Sequence, residues 1–400
     1  MSARRSLSPL LLQGMAYAGM VIGYVPLLTL ILPIRLTEMT PPGDEVRWLA
    51  LCAMGGALAA SVGNIFGGWI SDRTREGGMG RRSWAAIGLA GFVASLVLVE
   101  ISRRPEDMLL AIVVFQLALN MMLSPISAAF AEETPDERRG LLGGVLGFVY
   151  PAGPLLGVMA TLPAVRALGV ELLVVGATTC ILLLPFLITP APGARLRLVE
   201  DDDSRRKLAD FGRAGAARLL LQIAGGILFA FLLYYAAGLP DAPSFKGDLA
   251  SSTAGVVALV TLVSAPVSLA IGWATQRFGG WRFWLALAAG ACALGLILMA
   301  FAQETSVAMA GYAIFGCALA VFLALHTAYA MRLLPSSRRF GFDLGVMNLT
   351  NTVPSIIGPG LTWFVLSIAD YKTLLLLLGL CSLASAALMM SIRRRYARAM

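Results

Sequence analysis

Long apolar runs recur from one end of the chain to the other, and charged residues are confined to the gaps between them. A helical crossing of a bilayer takes about 20 apolar residues. Runs of that order fall near residues 9–34, 48–71, 84–101, 108–131, 141–165, 169–189, 215–238, 249–275, 283–302, 306–331, 341–367 and 373–391. Lipid offers no hydrogen bonds to a backbone, so each run must satisfy its own and is expected to be helical. None alternates polar with apolar, which excludes a transmembrane barrel. Pro26, Pro151, Pro154, Pro266, Pro354 and Pro359 lie inside runs, where membrane helices tolerate them as bends or packing points. The expected fold is all-α and integral to the membrane, with twelve transmembrane helices.

Composition removes the other classes. Of 400 residues 58% are hydrophobic and 14% charged, against about 25% charged in a soluble domain. No stretch outside the runs is long enough to form such a domain. A net charge of +8 would point a soluble protein toward nucleic acid. In a membrane protein it reads as basic residues held on the inner side, so the bilayer is the expected partner and nucleic acid is not. Cys52, Cys180, Cys292, Cys317 and Cys381 all lie in apolar runs and read as small hydrophobes. Arg4-Arg5 before an apolar run resembles a secretion signal, but no small-residue cleavage site interrupts it before Ile34, so it reads as an uncleaved first helix.

Topology follows from counting. With the N-terminus inside, inner segments hold 24 of the 31 Lys and Arg, and outer segments hold Arg35, Arg47, Arg103, Arg104, Arg166, Lys246 and Lys372. That bias places both termini in the cytoplasm and requires an even number of spans. The longest polar stretch, Pro190–Gly212, divides the chain into six-helix bundles at 1–189 and 213–400, joined by a cytoplasmic linker at 190–212. Its Glu200-Asp201-Asp202-Asp203 run has the composition of a magnesium–diphosphate motif. Arg205-Arg206-Lys207 follows at once and no second acidic cluster faces it, so it reads as a solvated linker. No metal or cofactor is expected.

The halves repeat each other. Gly68-Trp69-Ile70-Ser71-Asp72-Arg73 is answered by Gly272-Trp273-Ala274-Thr275-Gln276-Arg277. Thr134-Pro135-Asp136-Glu137-Arg138-Arg139-Gly140 is answered by Leu334-Pro335-Ser336-Ser337-Arg338-Arg339-Phe340-Gly341, and Gly153-Pro154 by Gly358-Pro359. Each match is shifted by close to half the chain. Two parallel repeats imply a site between them and alternating access.

Gly68-x-x-x-Asp72-Arg73 followed by Gly80-Arg81-Arg82 resembles the signature loop of the major facilitator superfamily, and spans, loop and repeat extend the resemblance over the whole chain. The longer string from Asn64 to Arg82 is similar to that of the glycoside–pentoside–hexuronide:cation symporters and their sucrose-transporter-like relatives. Those symporters carry paired acids in the second helix, where this chain has Ala60 and Asn64, so the resemblance does not extend to a sodium site. Gly153-Pro154-Leu155-Leu156-Gly157 resembles the core of a fifth-span motif of proton-driven exporters.

The resemblance implies a cytoplasmic gate made of Gly68, Asp72, Arg73, Arg81, Arg82, Glu132, Glu133 and Arg138. In it Asp72 bonds the start of the eleventh span near Phe340–Leu344 and a basic residue such as Arg138, while Glu132 and Glu133 take Arg73 or Arg81. For Arg81 and Arg82, plain positive-inside anchoring accounts for the residues equally well. All charges fall outside the middles of the runs, which leaves a neutral polar interior. Helices 1, 4, 7 and 10 line the cavity in the superfamily, which makes Gln13, Tyr17, Tyr24, Gln116, Asn120, Gln222, Tyr235 and His326 candidate substrate contacts. Asn348 and Asn351 in the eleventh span join them. Hydrogen bonding between helices is the alternative for each. His326 can carry a proton or serve as a neutral hydrogen-bonding group. If protons drive transport, they must titrate at His326 or at Asp72, Glu132, Glu133 or Asp343.

The expected function is that of a monomeric, multi-pass transporter in the inner (plasma) membrane. It moves a small, neutral or weakly charged organic solute, with a proton as the candidate coupling ion. An uncoupled facilitator, a drug or metabolite exporter and a non-transporting scaffold are the alternatives. No nucleophile, metal-spaced acid set or His cluster marks an enzyme.

Overall fold

The computed structural model describes residues 8–41, 44–75, 78–160, 162–190, 204–241, 248–336, 338–368 and 370–393. All regular structure among them is helical: α1 Ser8–Pro26, α2 Leu32–Met39, α3 Glu45–Arg73, α4 Arg81–Ile101, α5 Pro105–Glu133, α6 Arg139–Val149, α7 Ala152–Ala160, α8 Pro163–Ala167 and α9 Glu171–Ile188. After the central loop follow α10 Ser204–Ala237, α11 Asp248–Phe278, α12 Trp281–Ala300, α13 Thr305–Ala330, α14 Phe340–Ile368 and α15 Tyr371–Ser391. Among the described residues ten segments are long and apolar enough to cross a membrane, and α10 makes eleven if its parts, bent by 55°, count as one. α14 has 29 residues, like α3 and α5, but interleaves Asp343, Asn348, Asn351 and Thr352 with its apolar residues.

Prolines set the breaks. Pro26 ends α1 and a single wide turn, Leu27–Ile31, carries the helix on into α2, because proline brings no N–H and crowds the preceding turn. Pro151 likewise separates α6 from α7 within what the sequence shows as one run.

The chain forms two compact units. One holds residues 1–135, 149–202 and 336–352, and the other holds 136–148, 203–335 and 353–400. Each therefore contains a piece from the opposite half of the sequence: the start of α14 in the first, most of α6 in the second. Within the first unit α3 and α4 pack on α5, and α1 on α9; within the second, α11 and α12 pack on α13, and α10 on α15. These are repeat-related pairs, so the repeat persists in which helices touch. Phe92 and Phe115, with centroids 5.6 Å apart, and Phe130 edge-on to Phe186 at 5.4 Å fill the core of the first unit.

α10 begins at Ser204, inside the stretch expected as linker. Phe211, Ala214, Ala217 and Leu221 recur at helical spacing and are buried, which gives the basic segment an apolar face to dock. The Glu200–Asp203 acidic run lies outside the described residues.

Candidate functional site

α3 ends in Gly67-Gly68-Trp69-Ile70-Ser71-Asp72-Arg73, and the first turn of α14 lies directly on it. A Cβ on Gly68 would fall onto the Gly341 carbonyl, and one on Gly341 would lie 2.5 Å from the Gly68 oxygen. Only two glycines permit this approach. It brings the Asp72 carboxylate over the open end of α14: the Gly341 N–H donates to Oδ1 at 3.0 Å and the Phe342 N–H to Oδ2 at 2.8 Å. The first amides of a helix have no partner within it and form the positive end of its dipole, so a carboxylate satisfies both needs. From α5, the Ser124 hydroxyl donates to the Gly341 carbonyl at 3.3 Å.

A charge cluster braces Asp72. Arg81, only 6% exposed at the start of α4, donates from Nη2 to Asp72 Oδ1 at 2.5 Å and to Glu132 Oε1 at 2.7 Å, and from Nη1 to Ser71 Oγ at 2.7 Å. Arg75 also meets Glu132, at 2.9 Å. Arg82 pairs with Glu133 at 2.8 Å, donates to the Phe186 carbonyl at 2.9 Å and lies 4.7 Å above the Phe186 ring. The cation on Asp72 is thus Arg81. Arg73 is exposed and stacks on Trp69 at 5.5 Å. Arg138 closes the short turn Asp136–Arg138 of the second unit.

The second unit contains the repeat-related seam. The Gly140 N–H donates to Gln276 Oε1 at 3.0 Å, and a Cβ on Gly272 would lie 2.7 Å from the Gly140 oxygen. Gln276 therefore does with an amide what Asp72 does with a carboxylate. The surroundings repeat as well. Arg282 donates to the Met390 carbonyl at 3.0 Å as Arg82 does to Phe186. Where the first unit pairs Arg81 with Glu132, the second lays Arg332, in the turn after α13, over Trp281 at 4.8 Å, so a cation–π contact replaces the ion pair and the cation comes from the other partner's position.

The interior candidates separate into local groups. In the first unit Gln13 is 2% exposed and donates to Thr134 Oγ1 at 2.9 Å, a helix-to-loop tie. Tyr17 and Tyr24 are half-buried, and Tyr24 hydrogen-bonds Tyr150. Asn120 donates to Gln116 Oε1 at 3.1 Å and accepts from Asn64, which joins α3 to α5. Asn351 donates to Asn348, both half-buried on α14, and next to them Thr352 shares a hydrogen bond of 2.7 Å with Ser61 of α3. The polar residues of α3, α5 and α14 therefore continue upward from the seam.

In the second unit Gln222 is half-buried on α10, and the Tyr235 hydroxyl donates to the Met299 carbonyl. His326 is fully buried against Phe322. Its Nε2 meets the Ala214 carbonyl at 2.9 Å and its Nδ1 meets Arg218 Nη1 at 3.3 Å. A carbonyl only accepts and a guanidinium only donates, so the proton sits on Nε2 and the ring is neutral. Arg218 also donates to Thr327 Oγ1 at 3.1 Å. Because α10 starts at Ser204, Arg218 lies well within that helix, close to the start of the apolar run at 215–238.

A sequence profile described as "Major Facilitator Superfamily" matches residues 10–359, and the chain belongs to that family. Among curated proteins none matches the sequence. The fold is similar to that of the human organic anion transporter MFSD10, with a TM-score of 0.75 at 16% identity, over 97% of this chain and 100% of that one. It is also similar to the E. coli fucose:proton symporter FucP, with a TM-score of 0.75 at 13% identity, over 97% and 99% of the two chains. The proton:xylose symporter XylE gives 0.69 at 14% identity over 96% of each. The chain is a multi-pass membrane protein with the transporter fold of this family.

Proposed function

We propose that the chain is a secondary transporter that moves a small, neutral or weakly charged organic solute by alternating access, with protons as the coupling ion. The observation that carries this reading is the Gly68–Asp72 seam on α14. It is a charged, close-packed contact between segments from opposite halves of the sequence, and it is repeated around Gly272 and Gln276. A scaffold needs neither two such seams nor a buried ion cluster beside one of them. The proposed architecture has twelve spans, α14 included, as six-helix halves at 1–189 and 213–400. Both termini face the cytoplasm of the inner (plasma) membrane, and the protein works as a monomer. Cysteines placed singly at Ser204 and Ser244 test this topology, which requires labelling from opposite sides.

Gln116, Asn120, Asn348 and Asn351 offer amide and carbonyl groups without charge, which favours a hydroxylated solute. The fucose and xylose symporters among the structural relatives make neutral monosaccharides the first probes. The signature string keeps the glycoside–pentoside–hexuronide:cation branch as the proposed subfamily, without its sodium site. The test is a thermal-shift screen of monosaccharides, polyols and organic anions on purified protein, followed by flux of each hit in proteoliposomes. Saturable flux of a neutral solute supports the reading. Saturable flux restricted to organic anions would replace the substrate class, and hits that bind without crossing would leave a scaffold.

A further inference from the structure

Asp343 lies in the first turn of α14, next to the Phe342 amide that Asp72 holds. It is 4% exposed, and its Oδ2 is buried with no hydrogen-bond partner. Its other oxygen meets Arg339 at 3.4 Å, and that side chain is 56% exposed. An ionised carboxylate with a buried, unmatched oxygen is costly, whereas the neutral acid is much less so. Few charges face it. Asp72 approaches from α3 with like charge, and Arg339 comes from the turn before α14. On α4, Arg81 is turned onto Asp72, Ser71 and Glu132. On α5, Ser124 is neutral and Glu132 is held by Arg81 and Arg75.

The repeat provides an internal comparison. Counted from the paired glycines, Asp72 corresponds to Gln276 and Asp343 to Leu142, which is fully buried. The second seam reaches the same glycine-on-glycine approach with an amide and a leucine in those places. Close packing of such a seam therefore requires neither acid, and a buried carboxyl where the repeat tolerates leucine has another task.

We propose that Asp343 is a proton-binding site, protonated while Asp72 holds the amides of α14 and deprotonated when that contact opens. The step is a simple acid dissociation: the carboxyl O–H breaks, the carboxylate keeps the electron pair, and water takes the proton. With Asp343 neutral, Asp72 is, among the described residues, the anion on the first amides of α14, and Asp343 no longer opposes its contacts with Arg81 and the two amides. With both ionised, two adjacent carboxylates repel and the seam is weakened. The role in coupling rests on the transporter reading; the proton site itself does not.

The test is infrared difference spectroscopy of the full chain in liposomes, titrated from acid to alkaline pH without solute. The wild type should show the carbonyl band of a protonated carboxyl that disappears on alkalinisation. Asp343→Asn should lose that band. Asp343→Leu, which copies the second seam and is expected to fold, should lose it too. Asp210→Asn, which alters a second buried acid with an unmatched oxygen, should keep it. The same band in both Asp343 variants would overturn the proposal. Solute flux driven by a pH gradient in a protein without the band would retain transport and remove Asp343 from it. The band in a protein that moves no solute would keep the site and remove the transporter reading.

Discussion

Asp72 satisfies two amides that α14 cannot satisfy itself, and a carboxylate suits the place because those amides are the positive end of a dipole. Asparagine keeps the size but loses the charge, and its NH2 group would face one of the N–H donors. A hydrogen bond to a charged group is worth about 1.5–3 kcal/mol. Asp72→Asn should therefore shift the docked and separated states of α14 by ~10–100-fold toward separation, in a protein that still folds. Spin labels at Arg75 and Arg338 measure that distance, and an unchanged distribution in the variant would remove Asp72 as the lock. Gly68→Val tests the packing separately, since its side chain collides with backbone rather than with a movable side chain. We expect a loss of about 1–3 kcal/mol in stability from overpacking, read as a lower melting temperature. The sequence pointed to Gly68, Asp72 and the start of α14, because anchoring at a membrane boundary selects bases rather than an acid, and glycines beside that acid let another helix approach closely. It did not show that Arg81 rather than Arg138 reaches Asp72, nor that Gln13 and Tyr235 bond to protein groups. Those outcomes depend on which helices touch, and helical spacing along one run does not specify its neighbours.

At the level of elements, apolar length marked nearly every helix, because lipid leaves the backbone no alternative. It failed where polar residues are helical. The start of α10 carries Arg205, Arg206 and Lys207 and was expected as loop, yet Phe211, Ala214 and Leu221 dock it, and Arg218 reaches His326 in consequence. It also merged α6 with α7. The chain leaves one compact unit and enters the other at Phe148–Val149, beside the Pro151 break. If the break is a hinge, Pro151→Ala should join the two helices, stabilise the fold by up to ~3 kcal/mol and slow solute flux. Flux at the wild-type rate in a stabilised variant would show that the break has no role in turnover. A smaller effect belongs to α15. Asp370 caps it by accepting the Thr373 N–H at 2.8 Å, and that bond holds its carboxyl below the usual range. Its contribution is therefore present at neutral pH and is lost as pH falls through the lowered value. Protection of the first-turn amides of α15, taken relative to the intrinsic exchange rate at each pH, should fall on acidification, and Asp370→Ala should lack that protection at every pH.

For the whole molecule, the repeat is the organising fact. It was legible in the sequence as matched landmarks, and it reappears in which helices pack, in two glycine seams and in the paired contacts of Arg82 and Arg282. Of its departures from symmetry, Asp72 against Gln276 was legible in those landmarks, and the others needed the contacts. Asp72 against Gln276, Asp343 against Leu142 and the Arg81–Glu132 pair against Arg332 on Trp281 put acids at three positions of the first seam whose counterparts at the second are not acidic. Those differences predict a transporter whose turnover responds to protons. Sodium should have no effect, because Ala60 offers no oxygen and Asn64 is bonded to Asn120. The most direct measurement is flux of a screened solute in proteoliposomes under sodium and pH gradients imposed separately at clamped membrane potential. The account predicts acceleration by the pH gradient, none by sodium, and loss of the pH response in Asp343→Asn. Acceleration by a sodium gradient, or flux indifferent to both, would contradict it.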